Sequence, residues 1–160
     1  MMVLVGILIV GAVVGAQKLF APIPESEPVA EPSPTCTIEA EKGERLRIGD
    51  VRVNVFNGGS EAGLAGGTMR DLARRGFVRG EVGNAPSNTD VRRVQVWIQE
   101  GEEAAGRLVA RNLGPKVKVV KHEGEDLADG VDVIVANAFP EKLGKKVKSI
   151  KVRQPLEICR

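Results

Sequence analysis

The 160-residue chain carries 23 lysines and arginines against 21 aspartates and glutamates, a formal net charge of +2. That near-balance excludes strong steering of nucleic acid by the molecule as a whole. One histidine, one tryptophan, no tyrosine and four phenylalanines leave an aliphatic core and little material for a metal or acid–base centre.

Residues 1–16 hold no charge and no strongly polar side chain. Leu4, Ile7, Leu8, Ile9 and several valines make the segment apolar on every face, which points to a membrane anchor rather than a surface amphipathic helix. Continued through Ala21, the helix would be about 30 Å long at ~1.5 Å per residue, enough for a bilayer core. Lys18 can snorkel to the interface. A cleaved signal peptide is the rival reading, with Val14-Gly15-Ala16 as a small-residue cleavage site. The start lacks the basic flank that either device normally carries, and the retained anchor, 1–21, is the reading adopted.

Pro22, Pro24, Pro28, Pro32 and Pro34 alternate with Glu25, Glu27 and Glu31. Prolines fix φ and remove backbone donors, so residues 22–35 cannot enter a helix or sheet interior. They form an extended spacer of about 45 Å at ~3.1 Å per residue. Cys36 and Cys159 flank the remaining 36–160 domain. Two buried free thiols are one reading. An exported chain with an even cysteine count favours a disulfide, which would contribute roughly 4–5 kcal/mol by loop entropy. The cysteines also place the domain outside the cytosol, although Lys18 alone would pull its flank inward.

Within the domain, 51–56 alternates, with Val51, Val53 and Val55 on one face and Arg52, Asn54 and Phe56 on the other: a strand half in the core. Asn57-Gly58-Gly59-Ser60 breaks it. A helix follows at Leu64–Arg75 with Leu64, Thr68 and Leu72 at i+4 spacing. Gly66-Gly67 would let it lie close on the sheet, and Gly76 supplies its left-handed stop before Phe77. A second strand is expected over 77–82 and a turn over 84–88. Residues 91–99 alternate again, with Val94, Val96 and Ile98 inward and Trp97 outward. A second helix runs 102–113, with Glu102 and Glu103 at its start, Arg107 and Arg111 in later turns, and Gly114-Pro115 as its stop. Val117, Val119 and Val120 mark a strand, 124–130 an acidic loop, 131–135 another strand, and 150–152 a short last one. The order β-α-β-β-α-β-β gives an α/β (α+β type) two-layer sandwich, with two helices on one face of a small mixed sheet. Its first six elements suggest a split βαβ arrangement.

The stretch from Val51 to Phe77 carries a resemblance. Val55, Asn57, Gly63-Leu64-Ala65, Arg75-Gly76-Phe77, Val82 and Asn84-Ala85 stand as in the LytR C-terminal domain family. The likeness extends through Gly101 and Ala104-Ala105 to about Val135. Short actinobacterial members with one anchor, a linker, this domain and a flanking cysteine pair look similar to this chain. The resemblance implies a role in cell-envelope integrity. It does not imply attenuation of transcription, and the LytR–CpsA–Psr phosphotransferase domain is not found here. No catalytic residue set comes with it.

The candidate ligand-binding residues are Asn57, Gly58, Gly59, Ser60, Asn84 and Trp97. Backbone amides of the glycine-rich loop before the first helix can hold an anion. The loop matches neither phosphate-binding pattern, however, Glu61 opposes an anion, and a tight turn explains the same glycines. Trp97 can stack on a sugar or a protein partner, or simply pack. Asn57 and Asn84 can meet carbohydrate hydroxyls or bond locally at turns. His122 reads as a solvent-facing loop residue. Glu123, Glu125, Asp126 and Asp129 lack a calcium pattern. Lys142, Lys145, Lys146, Lys148, Lys151 and Arg153 either guard an edge strand or meet envelope anions.

The resulting expectation is a single-pass, membrane-anchored, extracytoplasmic, non-enzymatic domain supporting the cell wall. It would bind a wall polymer, a precursor or an envelope protein, with no cofactor, no metal and no nucleic acid. The alternatives are an enzyme that modifies wall polymers and a purely protein-docking scaffold.

Overall fold

The computed structural model describes residues 38–124, 126–139, 142–154 and 156–158. The anchor 1–21, the spacer 22–35, Cys36 and Cys159 lie outside the described residues. The chain separates into two units, Met1–Ser33 and Pro34–Arg160, and the described residues all belong to the second. None of their helices is long and apolar enough to cross a membrane.

In chain order the elements are β1 (Ile38–Ala40), β2 (Arg45–Arg47), a 3-10 turn (Ile48–Asp50), β3 (Arg52–Asn57), α1 (Leu64–Arg75), β4 (Val78–Asn84) and β5 (Val94–Ile98). There follow α2 (Glu103–Leu113), β6 (Lys118–Lys121), β7 (Val131–Val135), β8 (Ser149–Lys151) and β9 (Leu156–Ile158). The stretch from β3 to β7 keeps the expected β-α-β-β-α-β-β order. It forms one five-stranded mixed sheet, β4-β3-β7-β5-β6. Two antiparallel pairs accompany it, β1 with β9 and β2 with β8.

The pairing corrects the split arrangement. β3 and β4 are parallel direct neighbours, as are β5 and β6. Each strand–helix–strand unit is therefore closed on itself. The strand that separates is β7, which lies between the units, parallel to β3 and antiparallel to β5. Buried on both faces, β7 reads as a near-continuous apolar run, Val131, Val133, Ile134 and Val135, as a central strand should.

Both helices pack on one face. Val53, Val55, Val96, Ile98, Val131, Val133 and Val135 meet Met69, Leu72, Leu108, Val109 and Leu113 in a continuous aliphatic core. Gly76, at φ 107°, ends α1 as expected. Gly66 and Gly67 do not face the sheet: the nearest foreign atoms to a Cβ there belong to the Arg70 side chain. The close approach falls on α2, where a Cβ on Gly106 would sit 2.5 Å from Ile98 Cγ2 and 3.1 Å from Val119.

The second face is not left open. Phe56, Ile134, Val91 and Ala136 form a smaller core with Trp97, Leu127 and Ala128, roofed by the acidic loop. In its centre Asn54 is fully buried. Its Nδ2 donates to Ala128 O (3.2 Å), Asp129 O (3.1 Å) and Asp132 Oδ1 (2.9 Å). Its Oδ1 accepts from Glu81 N (2.8 Å). That last bond marks a bulge: Val53 pairs with Arg79 but Val55 with Val82. β4 thus holds one residue more than β3 across the step, and the carboxamide satisfies the amide left over. Gly80 is required beside it, because a Cβ there would collide with the Asn54 side chain.

Burial pushes the Asp132 carboxyl up to about 7, opposed by the bond from Asn54 and reinforced by Asp126 and Glu102. A carboxyl whose folded value lies above its unfolded value stabilises the fold when protonated. This contribution is complete below the ordinary value of 3.8. It fades as pH rises toward 7 and is absent above. From this group alone, stability should fall by roughly 4 kcal/mol over that window. Asp132→Asn, which keeps an acceptor for Asn54, should flatten the slope in urea melts run from pH 4 to 8; an unchanged slope would contradict the assignment. On the helix face, Gly67→Ala should stabilise by about 0.5–1 kcal/mol and Gly106→Ala destabilise by about 1–3 kcal/mol, read by the same melts.

Candidate functional site

In open sheets with parallel strands, ligands meet the carboxyl ends of those strands. Here that edge is formed by the ends of β3, β4 and β7, where Asn57 pairs with both Asn84 and Val135. The glycine-rich loop leaves β3 at this point. Its backbone amides are already engaged: Gly58 N donates to Val135 O (2.8 Å) and Gly59 N to Asn57 Oδ1 (3.0 Å). Ser60 N and Glu61 N both donate to Asn137 Oδ1, at 2.9 and 3.2 Å. Asn137 Nδ2 returns a bond to Ser60 Oγ (2.8 Å), and Asn57 Nδ2 reaches Glu61 O (2.8 Å). Four successive amides that could have cradled an anion are held by the protein itself.

The glycines serve this closure. A Cβ at Gly59 would collide with the Asn137 side chain, and one at Gly58 would stand 3.0 Å from Ile134 Cγ2. Gly63, at φ 81°, starts α1 without a side-chain cap. The depression of about 300 Å³ beside it presents Glu61 and Asp71, a poor setting for a phosphate. Asn137 carries the loop, and the sequence reading did not single it out. It stands two residues beyond β7, and only the placement of β7 beside β3 brings it to the loop.

The structure therefore gathers Asn57, Gly58, Gly59, Ser60 and Asn84 at one edge. Of these, Asn84 and Ser60 are exposed. The Ser60 hydroxyl accepts from the Asn137 amide group, which cannot act as its base.

Trp97 belongs elsewhere, on the second face, where it pairs with Asp132 across β5 and β7. Its indole Nε1 donates to Gln95 Oε1 (3.0 Å). The ring is stacked on His122, with centroids 4.3 Å apart and planes inclined by 7°. His122 is thus half-buried against an aromatic ring, not the solvent-facing loop residue expected. Its neighbours are acidic. Burial raises the Asp126 carboxyl, opposed by a bond from Gln99. Burial also raises Glu102, whose Oε2 accepts from Gln99 N at 2.9 Å. Among the described residues, no group of three histidine, cysteine, aspartate or glutamate side chains is placed to hold a metal ion.

The family model described as LytR cell envelope-related transcriptional attenuator, LytR_C, matches residues 50–139, more than half of the chain. That stretch holds both helices and all five strands of the main sheet. A solved structure with the same fold is the soluble domain of a conserved hypothetical secreted protein from Mycobacterium marinum. It aligns with a TM-score of 0.52 at 20% identity, covering 66% of this chain and 78% of that one. No curated protein matches. The chain belongs to the LytR_C family of cell-envelope-related domains.

Proposed function

We propose that this protein is a membrane-tethered, extracytoplasmic binding domain that supports the cell envelope without catalysing a reaction. The observation that carries the reading is the LytR_C match across the whole main sheet and its helices, downstream of a segment with the composition of an anchor and a proline-rich spacer. The fold adds support. β1 and β9 pair antiparallel, Ile38 opposite Ile158, so the chain enters and leaves the domain side by side. Cys36 stands two residues before Ile38 and Cys159 one after Ile158. A disulfide between them would close the domain beside its tether, at the point that bears any pull from the membrane.

The carboxyl edge is the surface through which this reading has the domain bind a wall polymer, a precursor or an envelope protein. Its exposed Asn84 offers both a donor and an acceptor, and its loop is held rigid by Asn57 and Asn137.

Two measurements test the reading. Alkylation of the unfolded, unreduced protein should leave both cysteines unlabelled. Reduction should then expose both and cost about 2–5 kcal/mol of stability; two free thiols in protein taken from cells would remove the staple. Purified wall fractions should retain the protein at low salt, and Asn84→Ala should lower that retention several-fold with no change in melting. No retention by the parent protein would count against binding to the wall.

A further inference from the structure

A second surface has a different chemistry. At the C-terminal end of α2 two adjoining depressions, of about 530 and 150 Å³, share Gly114, Pro115, Val117 and Gly144. Their combined volume lies in the range of small-molecule sites. Six cations stand around them: Arg107, Arg111 and Lys145 at the larger, Arg93, Lys116 and Lys142 at the smaller. Every other described lining residue is apolar or glycine, with Val119, Val147 and Phe139 among them. Among the described residues, no acid, amide or hydroxyl side chain lines either part. The ion pairs found among the described residues, Arg74–Asp71 and Lys121–Glu100, use none of the six.

The groove is built, not a gap between loose segments. Asn112, fully buried, accepts from Val147 N (3.2 Å) and donates to Val147 O (3.0 Å). Arg75 donates to Gly144 O (2.6 Å) and to Asn112 O (3.0 Å). Gly144 N donates to Leu113 O (3.1 Å). A Cβ on Gly144 would stand 2.9 Å from Gly114 Cα, so the two backbones touch along the shared wall.

Cations at a helix C-terminus can serve simply to cap its carbonyls. Here the carbonyls of Ala110, Asn112 and Leu113 already accept from Gly114 N, Arg75 and Gly144 N. Three of the last four carbonyls of the helix are thus satisfied without the rim cations. A neutral glycan is a poorer fit, because the polar side chains described in this lining are all cationic donors with no side-chain acceptor for a sugar hydroxyl. A phosphate only accepts, and arginine and lysine suit it. The apolar floor suits a hydrocarbon chain. We propose that this groove holds a single lipid with a net-anionic phosphate headgroup, its phosphate among Arg107, Arg111 and Lys145 and its chain on the valine-lined floor. The proposal rests on the envelope reading for the source of the lipid, not for the chemistry of the groove.

Native mass spectrometry of the full chain in neutral detergent tests it, with phosphatidylglycerol and phosphatidylcholine as probes. A phosphatidylglycerol adduct should form at concentrations where phosphatidylcholine gives none. The double variant Arg107→Glu/Arg111→Glu should weaken it at least tenfold, and Lys142→Glu/Lys145→Glu, at two exposed positions, should do the same. Lys151→Glu/Arg153→Glu, basic but outside the groove, should leave it unchanged, which also separates groove binding from lipid held by the anchor. Equal affinity for glycerol phosphate would show that the floor contributes nothing and overturn the lipid assignment. So would binding of a long-chain polyphosphate with no phosphatidylglycerol adduct, which would make the groove a polymer site. Protease protection of the domain in spheroplasts alongside an intact adduct would sink the envelope location and leave the groove standing. Full protease access with no adduct would do the reverse.

Discussion

A single carboxamide at the centre of the sheet ties β3, the β4 bulge, β7 and the roofing loop together through hydrogen bonds. Asn54 binds the surplus amide of the β4 bulge, the side chain of Asp132 on β7 and two carbonyls of the roofing loop. An apolar side chain of the same size would leave the Glu81 amide and the roof carbonyls without these partners, at a cost of about 1–3 kcal/mol for each that stays dry. With Asn54 in place, the second face of the sheet becomes a small core beneath a polar lid. The register of β4 follows from the same bond. Once the extra residue is accommodated, Asn57 and Asn84 come level at the carboxyl edge.

Much of this was legible in the chain, for reasons that also explain what was not. α1 and β7 show their bounds because each is an apolar pattern beside a glycine, Gly76 after α1 and Gly130 before β7. The alternation around Val53 and Val55 assigned Asn54 to the face away from the helices, which is correct. It also suggested solvent there, because period-two patterning separates faces without saying what covers the second one. β1, β2 and β9 span three residues each, too short to show a period, and they exist by pairing with partners distant in sequence. The insertion of β7 between two strand–helix–strand units is likewise a long-range choice. The roof and Asn137 both depend on it, so no local signal could have exposed either.

The glycine-rich loop shows how one local pattern serves opposite ends. A strand, a run of small residues and a helix make an anion cradle when the amides point outward unpaired. In this protein Asn57 and Asn137 occupy the amides and convert the cradle into a rigid bracket. The same glycines are needed in both cases, for close approach and for positive φ. Only the amide partners separate the two uses, and the second partner comes from another strand.

Charge is read differently at the two scales. A net of +2 argues against a long-range field, and that holds for the molecule as a whole. Yet the chain sorts its charges by place. Glu102, Asp126 and Asp132 draw together around the second face, where burial first and neighbouring carboxylates second raise each of them. Six arginines and lysines line the groove at the end of α2, with no acid among its described residues. The near-balance of the whole chain hides this sorting, because at physiological salt a charge acts mainly within a Debye length of about 8 Å. A phosphate in the groove would therefore meet the local set and not the sum. The composition of this chain excludes a polyanion wrapped around the molecule, while its topology permits one anionic headgroup held at a single place.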